Sequence, residues 1–531
     1  MRNPVRSSAR LARPRVALLG SVALAAGLLA APTLTPARAA DPVTATPTIT
    51  NACIDSVPDL GSTTVQKICY SLFQPAGTDA NHTVPLVFHS HGWGGSRTTT
   101  ASSFKGFLDA GFGVLSFDQR GFGQSGGTAR VENPAYEGED VKKLVAMVSG
   151  LDWVTQDGPG DPRLGAIGGS YGGGYQFVGA FSEMTDSATH KPIFDALAPE
   201  ITWYDLKESL APAEVNRTEW TSLLVAAGAN ALPKDVLTAT ALATATGFWP
   251  KGQVPGTPDL DAFFLKNGPK WQVSQGRVLD IPVLFGQGET DTLFPLHQGL
   301  LNFQNALTAE ARAKSIFVGY NGGHVLPAVF PQALTSSGDP CSKELGGGSF
   351  SDLTVKFFKK ALLGIDTGLT GYGQYHLATA GNACTTVDSV KSNTDIALAL
   401  PVATTTTVGG PIGTLIATGP IRIAGTPTFT ANVFAAGVNN RAFYSLGVGT
   451  SPADVKIVQN NVLPVNELLP VNGVSKTVEL PSVAVDVPKG MSLYLVATPV
   501  SDSFAAMGSR TPGAIVMKDV VVHLPVVPAA S

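Results

Sequence analysis

The sequence contains little of the chemistry from which metal and redox centres are built. Its 531 residues include only four cysteines and eight histidines, with no Cys-x-x-Cys pair and no cluster of histidines. Structural zinc sites need such clusters, because closely spaced thiolates and imidazoles bind the metal. We therefore expect neither a metal ion nor any other cofactor.

Long apolar runs are also scarce. One covers residues 16–31; five arginines precede it and Ala37-Arg38-Ala39 follows it. This arrangement is typical of a secretory signal peptide, so we expect residues 1–39 to be removed and the mature chain to begin at Ala40. An uncleaved anchor is the alternative, but the run is short for a span of about 20 residues. No later run is long enough to cross a bilayer, so we expect a secreted protein without a membrane span.

The mature chain lacks an excess of positive charge. The signal segment holds six arginines and no acidic residue, so residues 40–531 have 30 basic and 40 acidic side chains, a net charge of −10. A surface of this sign does not favour nucleic acid or anionic lipid. We expect a small-molecule ester or short peptide as the partner and no nucleic acid. The sequence does not indicate an oligomeric state.

All four cysteines lie in the mature part of the chain, at positions 53, 69, 341 and 384. An even number in a secreted protein predicts two disulfides, with four free thiols as the alternative. Three pairings are possible. Those of Cys53 with Cys69 and of Cys341 with Cys384 close the shortest loops, and this is the pairing that we expect.

Residues 40–384 alternate between short apolar segments and helical patterns. The segments are 84–89, 113–117, 164–167, 281–285 and 315–319, and the helical patterns are 139–154, 175–184, 297–307 and 353–363. Such alternation predicts an α/β fold with a mostly parallel sheet covered by helices. Residues 201–278 interrupt it, and we interpret them as an inserted helical cap. A loop is the alternative, but the four tryptophans of this segment need a core in which to pack.

The composition changes after Cys384. Only 16 of the 147 residues from 385 to 531 are charged, and helical periodicity is absent. Short Val/Ile/Thr/Phe segments alternate with Gly, Pro and Asn; they are 413–418, 426–434, 442–448, 477–480, 492–497 and 514–524. We expect a jelly-roll-like β-sandwich over residues 385–531. The threonine run 404–407 is too short to tether a free module, so the sandwich should dock on the α/β domain.

Two segments match Gly-x-Ser-x-Gly, one around Ser125 and one around Ser170. The motif carries chemistry where a strand ends in a sharp turn and a helix begins, because that turn exposes the serine oxygen above a sheet. Ser170 follows the predicted strand 164–167 and precedes the predicted helix 175–184. Ser125 is followed by loop-forming residues. We therefore predict that Ser170 is a nucleophile and that Ser125 belongs to a turn.

A serine nucleophile needs a base and an acid that orients the base. In α/β-hydrolases the acid and then the histidine follow the serine along the chain. His324 stands in a glycine-rich loop directly after the predicted strand 315–319, where ligand sites of open α/β sheets collect. That order excludes four histidines: His82, His89, His91 and His190. Of those that remain beside His324, His297 lies in a helix, His376 past the last helix and His523 in the sandwich. We predict His324 as the base.

Two carboxylates compete for the role of the acid. Asp291 and Glu289 both lie just after the predicted strand 281–285. Either one is also placed to cap the helix that begins near Pro295.

Acyl transfer also requires donors for the developing oxyanion, usually backbone N–H groups. The residue after the nucleophile, Tyr171, supplies one. The second should come from the loop after an early strand, where His91-Gly92-Trp93-Gly94-Gly95 stands, and Trp93 is the predicted donor. A tight turn at His91-Gly92 would aim this amide.

These motifs resemble the Xaa-Pro dipeptidyl-peptidase and cocaine esterase family of α/β-hydrolases. The resemblance rests on Gly-x-Ser-Tyr-x-Gly at 168–173, Asp-Gln-Arg-Gly-x-Gly-x-Ser at 118–125, Gly-x-x-Asp-x-x-Phe-Pro at 288–295 and Gly-Gly-His at 322–324. It implies that Asp291 is the acid, and it implies a helical cap and a C-terminal jelly roll. Many members place a tyrosine in the early oxyanion loop, where this chain has Trp93.

The expected function is that of a secreted serine hydrolase. It would cleave an ester or amide bond of a small acyl or peptidyl substrate through an acyl-enzyme, in the manner of Xaa-Pro dipeptidyl-peptidases, with Trp203 of the cap against the substrate. A carboxylesterase without peptidase activity is one alternative, and a protein that binds a surface or glycan through its sandwich is another. An exopeptidase needs a carboxylate for the substrate's amino terminus. Three cap residues are candidates, although solvated helix charges explain them as well: Glu208, Glu214 and Glu219.

Overall fold

The computed structural model describes residues 46–182, 192–326 and 330–528. The expected signal peptide, residues 1–39, and the expected cleavage site before Ala40 lie outside the described residues. Within the described ranges, no helix combines the length and the apolar character that a membrane crossing requires.

A ten-stranded mixed sheet forms the centre of the molecule. Its strands are β1 (Thr48–Ser56), β2 (Gln66–Gln74), β3 (Leu86–Ser90), β4 (Gly113–Phe117), β5 (Leu164–Gly169), β6 (Ala196–Glu200), β7 (Leu284–Gly288), β8 (Ile316–Tyr320), β9 (Tyr375–Ala378) and β10 (Cys384–Val387). They lie in the order β1-β2-β4-β3-β5-β6-β7-β8-β9-β10. Neighbours from β4 to β9 are parallel, and the edge strands pair antiparallel. The predicted α/β fold with a mostly parallel sheet is confirmed.

Helices cover both faces of this sheet because successive residues of a buried strand point to opposite sides. In β3, Phe88 packs into one core while Val87 packs into the other. The helices of the α/β domain, which alternate with these strands along the chain, are Lys105–Asp109, Glu137–Val148, Tyr171–Ser182, Leu296–Asn305, Ala309–Arg312, Pro340–Glu344 and Phe350–Leu363. The strand–helix alternation of the sequence therefore reflects two layers of helices around one sheet.

Both disulfides have the expected pairing. Cys53 of β1 and Cys69 of β2 are bonded across the antiparallel edge of the sheet. Cys341, in the helix Pro340–Glu344, is bonded to Cys384 at the start of β10. The second disulfide therefore fixes the last strand of the sheet to a helix that packs on it.

The expected helical cap lies between β6 and β7. Its helices are Leu206–Leu210, Thr218–Gly228, Lys234–Thr246, Leu260–Phe264 and Pro269–Ser274, with a short 3-10 turn at Pro212–Glu214. Trp203 and Trp249 are buried in a core that the cap shares with Tyr171 and Phe294 of the α/β domain. The tryptophans thus pack the cap onto the sheet, directly above the helix that begins at Tyr171.

Antiparallel strands form the C-terminal part of the chain. They are Thr394–Ala397, Val402–Thr405, Ile412–Thr418, Ile421–Gly425, Thr428–Ala436, Asn440–Gly449, Lys456–Val458, Leu463–Glu467, Val471–Glu479, Val483–Val487, Ser492–Thr498, Ala514–Leu524 and Val526–Val527. They group into several sheets around one apolar core, as the prediction of a β-sandwich requires. The short strand Ala333–Leu334 of the preceding domain joins one of these sheets beside Lys456–Val458.

The expected boundary after Cys384 falls inside a strand and is corrected by the structure. Residues 385–387 continue β10 and pair with β9, because the central sheet ends three residues later than the change in composition indicated. The sandwich is docked, as expected, since residues 46–531 form one compact unit. Arg441 of the sandwich, for example, donates to the backbone oxygen of Gly247 in the cap (2.5 Å).

Candidate active site

Ser170 stands in the sharp turn between β5 and the helix Tyr171–Ser182. Its φ of 59° lies in the left-handed region that a residue with a Cβ rarely adopts. The turn is held by Ser170 N–H, which donates to Glu200 O (2.9 Å), and by Gly173 N–H, which donates to Ser170 O (2.8 Å). A Cβ at Gly172 would lie 2.4 Å from Ser90 O, so the chain needs glycine there. The strained turn presents the hydroxyl above the carboxyl end of the sheet.

Ser170, His324 and Asp291 form a continuous hydrogen-bonded chain. Ser170 Oγ lies 2.8 Å from His324 Nε2, and His324 Nδ1 lies 2.7 Å from Asp291 Oδ2. A carboxylate can only accept, so Nδ1 carries the proton and Nε2 is free to accept from the serine hydroxyl. This is the geometry in which a histidine can take the proton of a serine nucleophile.

Backbone donors hold both carboxylate oxygens of Asp291. Asp291 Oδ1 accepts from the N–H groups of Leu293 (2.9 Å) and Phe294 (2.7 Å), and Oδ2 accepts from His324 N–H (3.0 Å). Asp291 is fully buried. Its carboxylate therefore has no freedom to turn away from the imidazole.

The cap also contacts the histidine loop. Trp220 Nε1 donates to Thr292 Oγ1 (2.9 Å), and Thr292 Oγ1 donates to His324 O (3.1 Å). The rings of Trp220 and Phe294 stand edge-on to the His324 imidazole, with centroids 5.7 and 5.3 Å away. Trp220 is one of the four cap tryptophans, for which the sequence predicted only packing in a core, because nothing in its local pattern indicates that it reaches His324.

The competing carboxylate, Glu289, points away from the histidine. It is fully buried against β8, where its Oε1 would be 2.2 Å from a Cβ placed on Gly319. Burial raises the pKa of Glu289 well above its ordinary value. Its surroundings therefore favour the neutral acid, which does not serve to stabilise an imidazolium.

The other rivals also bond elsewhere. Ser125 Oγ donates to Asp118 O (2.7 Å) and accepts from Cys69 N–H (2.9 Å), as a residue of a structural turn does. The three histidines that competed with His324 are bonded elsewhere. His297 contacts Ser482, His376 contacts Gly371, and His523 contacts Asp395.

The loop after β3 approaches the nucleophile closely. A Cβ on Gly92 would lie 3.8 Å from Ser170 Cβ. His91 braces this loop: its Nδ1–H donates to Gly92 O (2.8 Å), and its Nε2 accepts from Gln119 N–H (3.1 Å). Burial lowers the pKa of His91, which agrees with a neutral imidazole that donates through one nitrogen and accepts through the other.

The two predicted oxyanion donors, Tyr171 and Trp93, line the same pocket as Ser170. Tyr171 begins the helix, so its N–H has no carbonyl partner within that helix. The indole of Trp93 is engaged, because its Nε1 donates to Leu224 O of the cap (2.8 Å). Of the two N–H groups of Trp93, only the backbone one is left for an oxyanion.

One protein family matches the part of the chain that holds Ser170, Asp291 and His324. Residues 66–325 match the family described as X-Pro dipeptidyl-peptidase (S15 family). This span begins at β2 and ends just after His324, so that it includes Ser170 and Asp291. Residues 66–325, the segment that holds Ser170, Asp291 and His324, therefore belong to the X-Pro dipeptidyl-peptidase (S15) family.

Solved structures share the fold over nearly the whole chain. A CocE/NonD family hydrolase from Staphylococcus aureus has a TM-score of 0.64 at 11% identity and covers 90% of this chain and 93% of its own. An aminopeptidase from the marine sediment archaeon Thaumarchaeota archaeon has a TM-score of 0.62 at 13% identity, covering 93% and 99%. An alpha-amino acid ester hydrolase has a TM-score of 0.59 at 12% identity, covering 93% and 98%. At these identities the likeness concerns the fold.

The curated relatives match only shorter segments of this chain. An uncharacterized 31.7 kDa protein of Escherichia coli, from the traX-finO intergenic region, is 35% identical over 102 residues, which are 19% of this chain and 34% of that protein. A second match of the same description and organism is 32% identical over 142 residues, 26% of this chain and 44% of that protein. The chain thus spans less than half the length of these relatives.

An apolar pocket opens beside Ser170. The cap and the α/β domain both line it. The lining residues are Trp93, Val131, Ser170, Tyr171, Trp203, Leu206, Leu210, Thr221, Leu224, Val225, Leu232, Val236, Thr240, Trp249, Phe264, Leu293 and Phe294. None of these residues carries a charge. Trp203, predicted to contact substrate, lies in this wall.

The three cap glutamates are not among the residues that line this pocket. Glu214 forms ion pairs with Lys207 (3.5 Å) and Lys251 (2.7 Å). Glu219 lies in a separate cleft with Asp502, where burial and this neighbouring acid raise its pKa. Glu208 is part of the helix Leu206–Leu210, and burial raises its pKa as well.

Proposed function

We propose that the protein is a secreted serine hydrolase that cleaves esters of uncharged, apolar acyl groups through an acyl-enzyme. Ser170 is the nucleophile, His324 the general base and acid, and Asp291 the residue that orients and stabilises the imidazole. The backbone N–H groups of Tyr171 and Trp93 stabilise the oxyanion. Family membership supports a hydrolase of ester or peptide bonds.

The apolar pocket is the observation that carries the choice of substrate. Ser170 belongs to its lining, so an acyl carbon within reach of the hydroxyl leaves its substituent among leucine, valine and aromatic side chains. Burial of such a substituent is favourable by roughly 25 cal/mol per Å² of apolar surface. An ammonium group in the same pocket would lose its hydration without gaining a carboxylate partner.

The proposed reaction has two steps. As Ser170 Oγ bonds to the acyl carbon, its proton moves to His324 Nε2, and the carbonyl oxygen becomes an oxyanion that the two N–H groups bind. The carbon–oxygen bond to the alcohol then breaks, and His324 returns the proton to the departing oxygen. In the second step a water gives a proton to His324 Nε2 and its oxygen bonds to the acyl carbon. The bond from that carbon to Ser170 Oγ then breaks, His324 returns the proton to Oγ, and the carboxylic acid leaves.

A dipeptidyl-peptidase activity is the second candidate, because the matching family is described by it. Such an activity needs a group that binds the substrate's amino terminus next to the nucleophile. In the part of the chain that the structure describes, no aspartate or glutamate lines the pocket that contains Ser170. We therefore rank ester hydrolysis first.

The proposal of secretion rests on two observations. The N-terminal 39 residues have the pattern of a signal peptide. Two disulfides join the four cysteines, and such bonds persist in oxidising compartments.

A substrate panel and a covalent probe test the proposal together. The purified protein is assayed with p-nitrophenyl acetate, hexanoate and benzoate and with Ala-Pro and Gly-Pro p-nitroanilides, and it is treated with a fluorophosphonate. We expect labelling of Ser170, a higher kcat/KM for hexanoate or benzoate than for acetate, and little turnover of the nitroanilides. Faster cleavage of a nitroanilide than of any ester would reverse the ranking. Absence of labelling in a protein that retains esterase activity would remove Ser170 as nucleophile.

A further inference from the structure

We propose that the segment Gln459-Asn460-Asn461 of the β-sandwich positions the acid and the base of the active site, so that the sandwich is part of the catalytic apparatus. We call this segment the amide clamp. It connects the strands Lys456–Val458 and Leu463–Glu467. The proposal rests on the proposed roles of Asp291 and His324.

Each residue of the amide clamp reaches a different part of the α/β domain. Asn461 Nδ2 donates to Asp291 O (3.0 Å) and to Gln459 O (3.2 Å). Asn460 Nδ2 donates to Leu326 O, two residues after His324 (3.2 Å). Gln459 Nε2 donates to Ala378 O at the end of β9 (3.1 Å). Three consecutive amides therefore bond to the acid loop, the histidine loop and the sheet beneath them.

The clamp is itself built rigidly. All three residues are buried, and Gln459 Oε1 accepts from Ala484 N–H within the sandwich (2.9 Å). Gln459 and Asn460 have φ values of 51° and 60°, in the left-handed region. Such a conformation in two successive buried residues is unfavourable for the loop alone and persists only where the surrounding contacts hold it. The contacts in question are those to the α/β domain.

The acid needs support at its backbone. Its carboxylate is already bound by Leu293, Phe294 and His324, all of which belong to the same two loops. These bonds set the position of the carboxylate relative to the imidazole, but they lie within the two loops and do not by themselves hold the loops in place against Ser170. Trp220 of the cap, which donates to Thr292, is one contact from outside these loops. The side-chain amides of Asn461 and Asn460 also bond to these loops from outside. They attach the loops to the rigid connection between two strands of the sandwich. A displacement of about 1 Å at a reacting group can cost on the order of 100-fold in rate.

The test compares Asn461→Leu with Asn466→Leu. Leucine has nearly the shape of asparagine but donates no hydrogen bond. Asn466 is the matched control, because its Nδ2 also donates from the sandwich to a backbone oxygen, that of Ala213 in the cap (3.1 Å), away from the triad. We expect Asn461→Leu to lower kcat per fluorophosphonate-titrated site by about 10- to 100-fold with little change in KM. Asn466→Leu should leave kcat within a small factor.

The melting temperatures of the two variants separate positioning from folding. A loss of kcat in Asn461→Leu at a melting temperature equal to that of Asn466→Leu supports the clamp. Equal kcat in both variants overturns it. If Asn461→Leu does not fold, Asn460→Gly decides, since glycine keeps the left-handed φ and removes only the side-chain amide. A wild-type kcat in Asn460→Gly then overturns the clamp, and a reduced kcat at an unchanged melting temperature supports it.

The Ser170→Ala variant keeps this result distinct from the proposed function. If Ser170→Ala retains full activity, the proposed hydrolase site is wrong, and the clamp falls with it. If Ser170→Ala is inactive while Asn461→Leu matches its control, only the clamp is wrong.

Discussion

One oxygen of Asp291 binds His324 twice. Asp291 Oδ2 accepts from the backbone N–H of His324 (3.0 Å) and from its Nδ1–H (2.7 Å). The first bond fixes the loop from which the imidazole extends, and the second fixes the tautomer of the ring. Because one atom accepts both bonds, a substitution that displaces this oxygen disturbs the position and the tautomer of His324 at once.

The first prediction concerns the two serines. Ser170→Ala should lower kcat by about 10⁴-fold or more, since it removes the atom that forms the acyl bond. Ser125→Ala should keep kcat within a small factor but lower stability by about 1–3 kcal/mol, because it removes hydrogen bonds to Asp118 O and Cys69 N–H. Steady-state kinetics and urea unfolding of both variants check this. Loss of kcat in a folded Ser125→Ala enzyme would contradict it.

The second prediction distinguishes the two carboxylates. Asp291→Asn should lower kcat by up to about 10⁴-fold, because an amide favours the wrong imidazole tautomer and does not stabilise the imidazolium. Glu289→Gln should have little effect on kcat, since the raised pKa of this buried group makes the wild-type side chain a neutral acid of nearly the same shape. Both variants are assayed on the same ester, with melting temperatures as controls. Losses of similar size would argue against Asp291 as the orienting acid.

The third prediction concerns the acyl pocket. Val236 is buried in the pocket wall on the helix Lys234–Thr246. Val236→Phe should reduce the space for an acyl chain and so lower kcat/KM for a hexanoate ester by at least about 10-fold, while the acetate ester is affected much less. Leu237→Phe, on the same helix but outside the lining, is the control. A uniform loss over all chain lengths would show that Val236 does not limit the acyl group.

The fourth prediction is a pH dependence of stability. Burial raises the pKa of Asp195 to about 6, and the neighbouring Asp157 and Asp161 add to this, against the N–H of Leu164 and the charge of Arg163. The ordinary pKa of aspartate is about 3.9. Between these values the unfolded chain releases its proton before the folded one, so wild-type stability falls as pH rises from about 4 to about 6.

Asp195→Asn removes this titration. Its amide oxygen can still accept from Leu164 N–H, to which Asp195 Oδ2 is now bonded (2.7 Å). Relative to wild type, the variant should therefore gain in melting temperature as pH rises through this window and show no further gain above it. Calorimetry between pH 4 and 8 measures the difference. Asp55→Asn, at an exposed carboxylate, is the control, and a difference that does not change with pH would refute the prediction.

The fifth prediction concerns the sandwich as a whole. A chain that ends at residue 387, after β10, should be poorly soluble or less stable, because it exposes the apolar surface that Val215 of the cap shares with Phe443 and Ile457. Soluble yield, melting temperature and kcat/KM are the measurements. A truncated protein that keeps all three would make the sandwich an independent module and would leave the docked contacts without a function.

Local sequence determined much of this protein. Short apolar runs predicted the parallel strands β3, β4, β5, β7 and β8, and β4 has the predicted bounds. Glycines on both sides of Ser170, between a strand and a helix, indicated the turn that the structure contains. Six segments of the C-terminal part were predicted as strands, because alternation and turn residues are local properties of a sequence. The parallel strands β6 and β9 and the antiparallel strands β1, β2 and β10 were not predicted.

Tertiary structure alone decided the rest. Asp291 and Glu289 are two residues apart in one loop, and only the packing of the sheet shows that one faces His324 while the other lies against Gly319. The bond from Asn461 to Asp291 spans 170 residues and two domains. The apolar pocket, too, is assembled from the cap and the sheet. Patterns along a chain record burial and backbone conformation, whereas contacts between distant segments exist only once the elements have packed together.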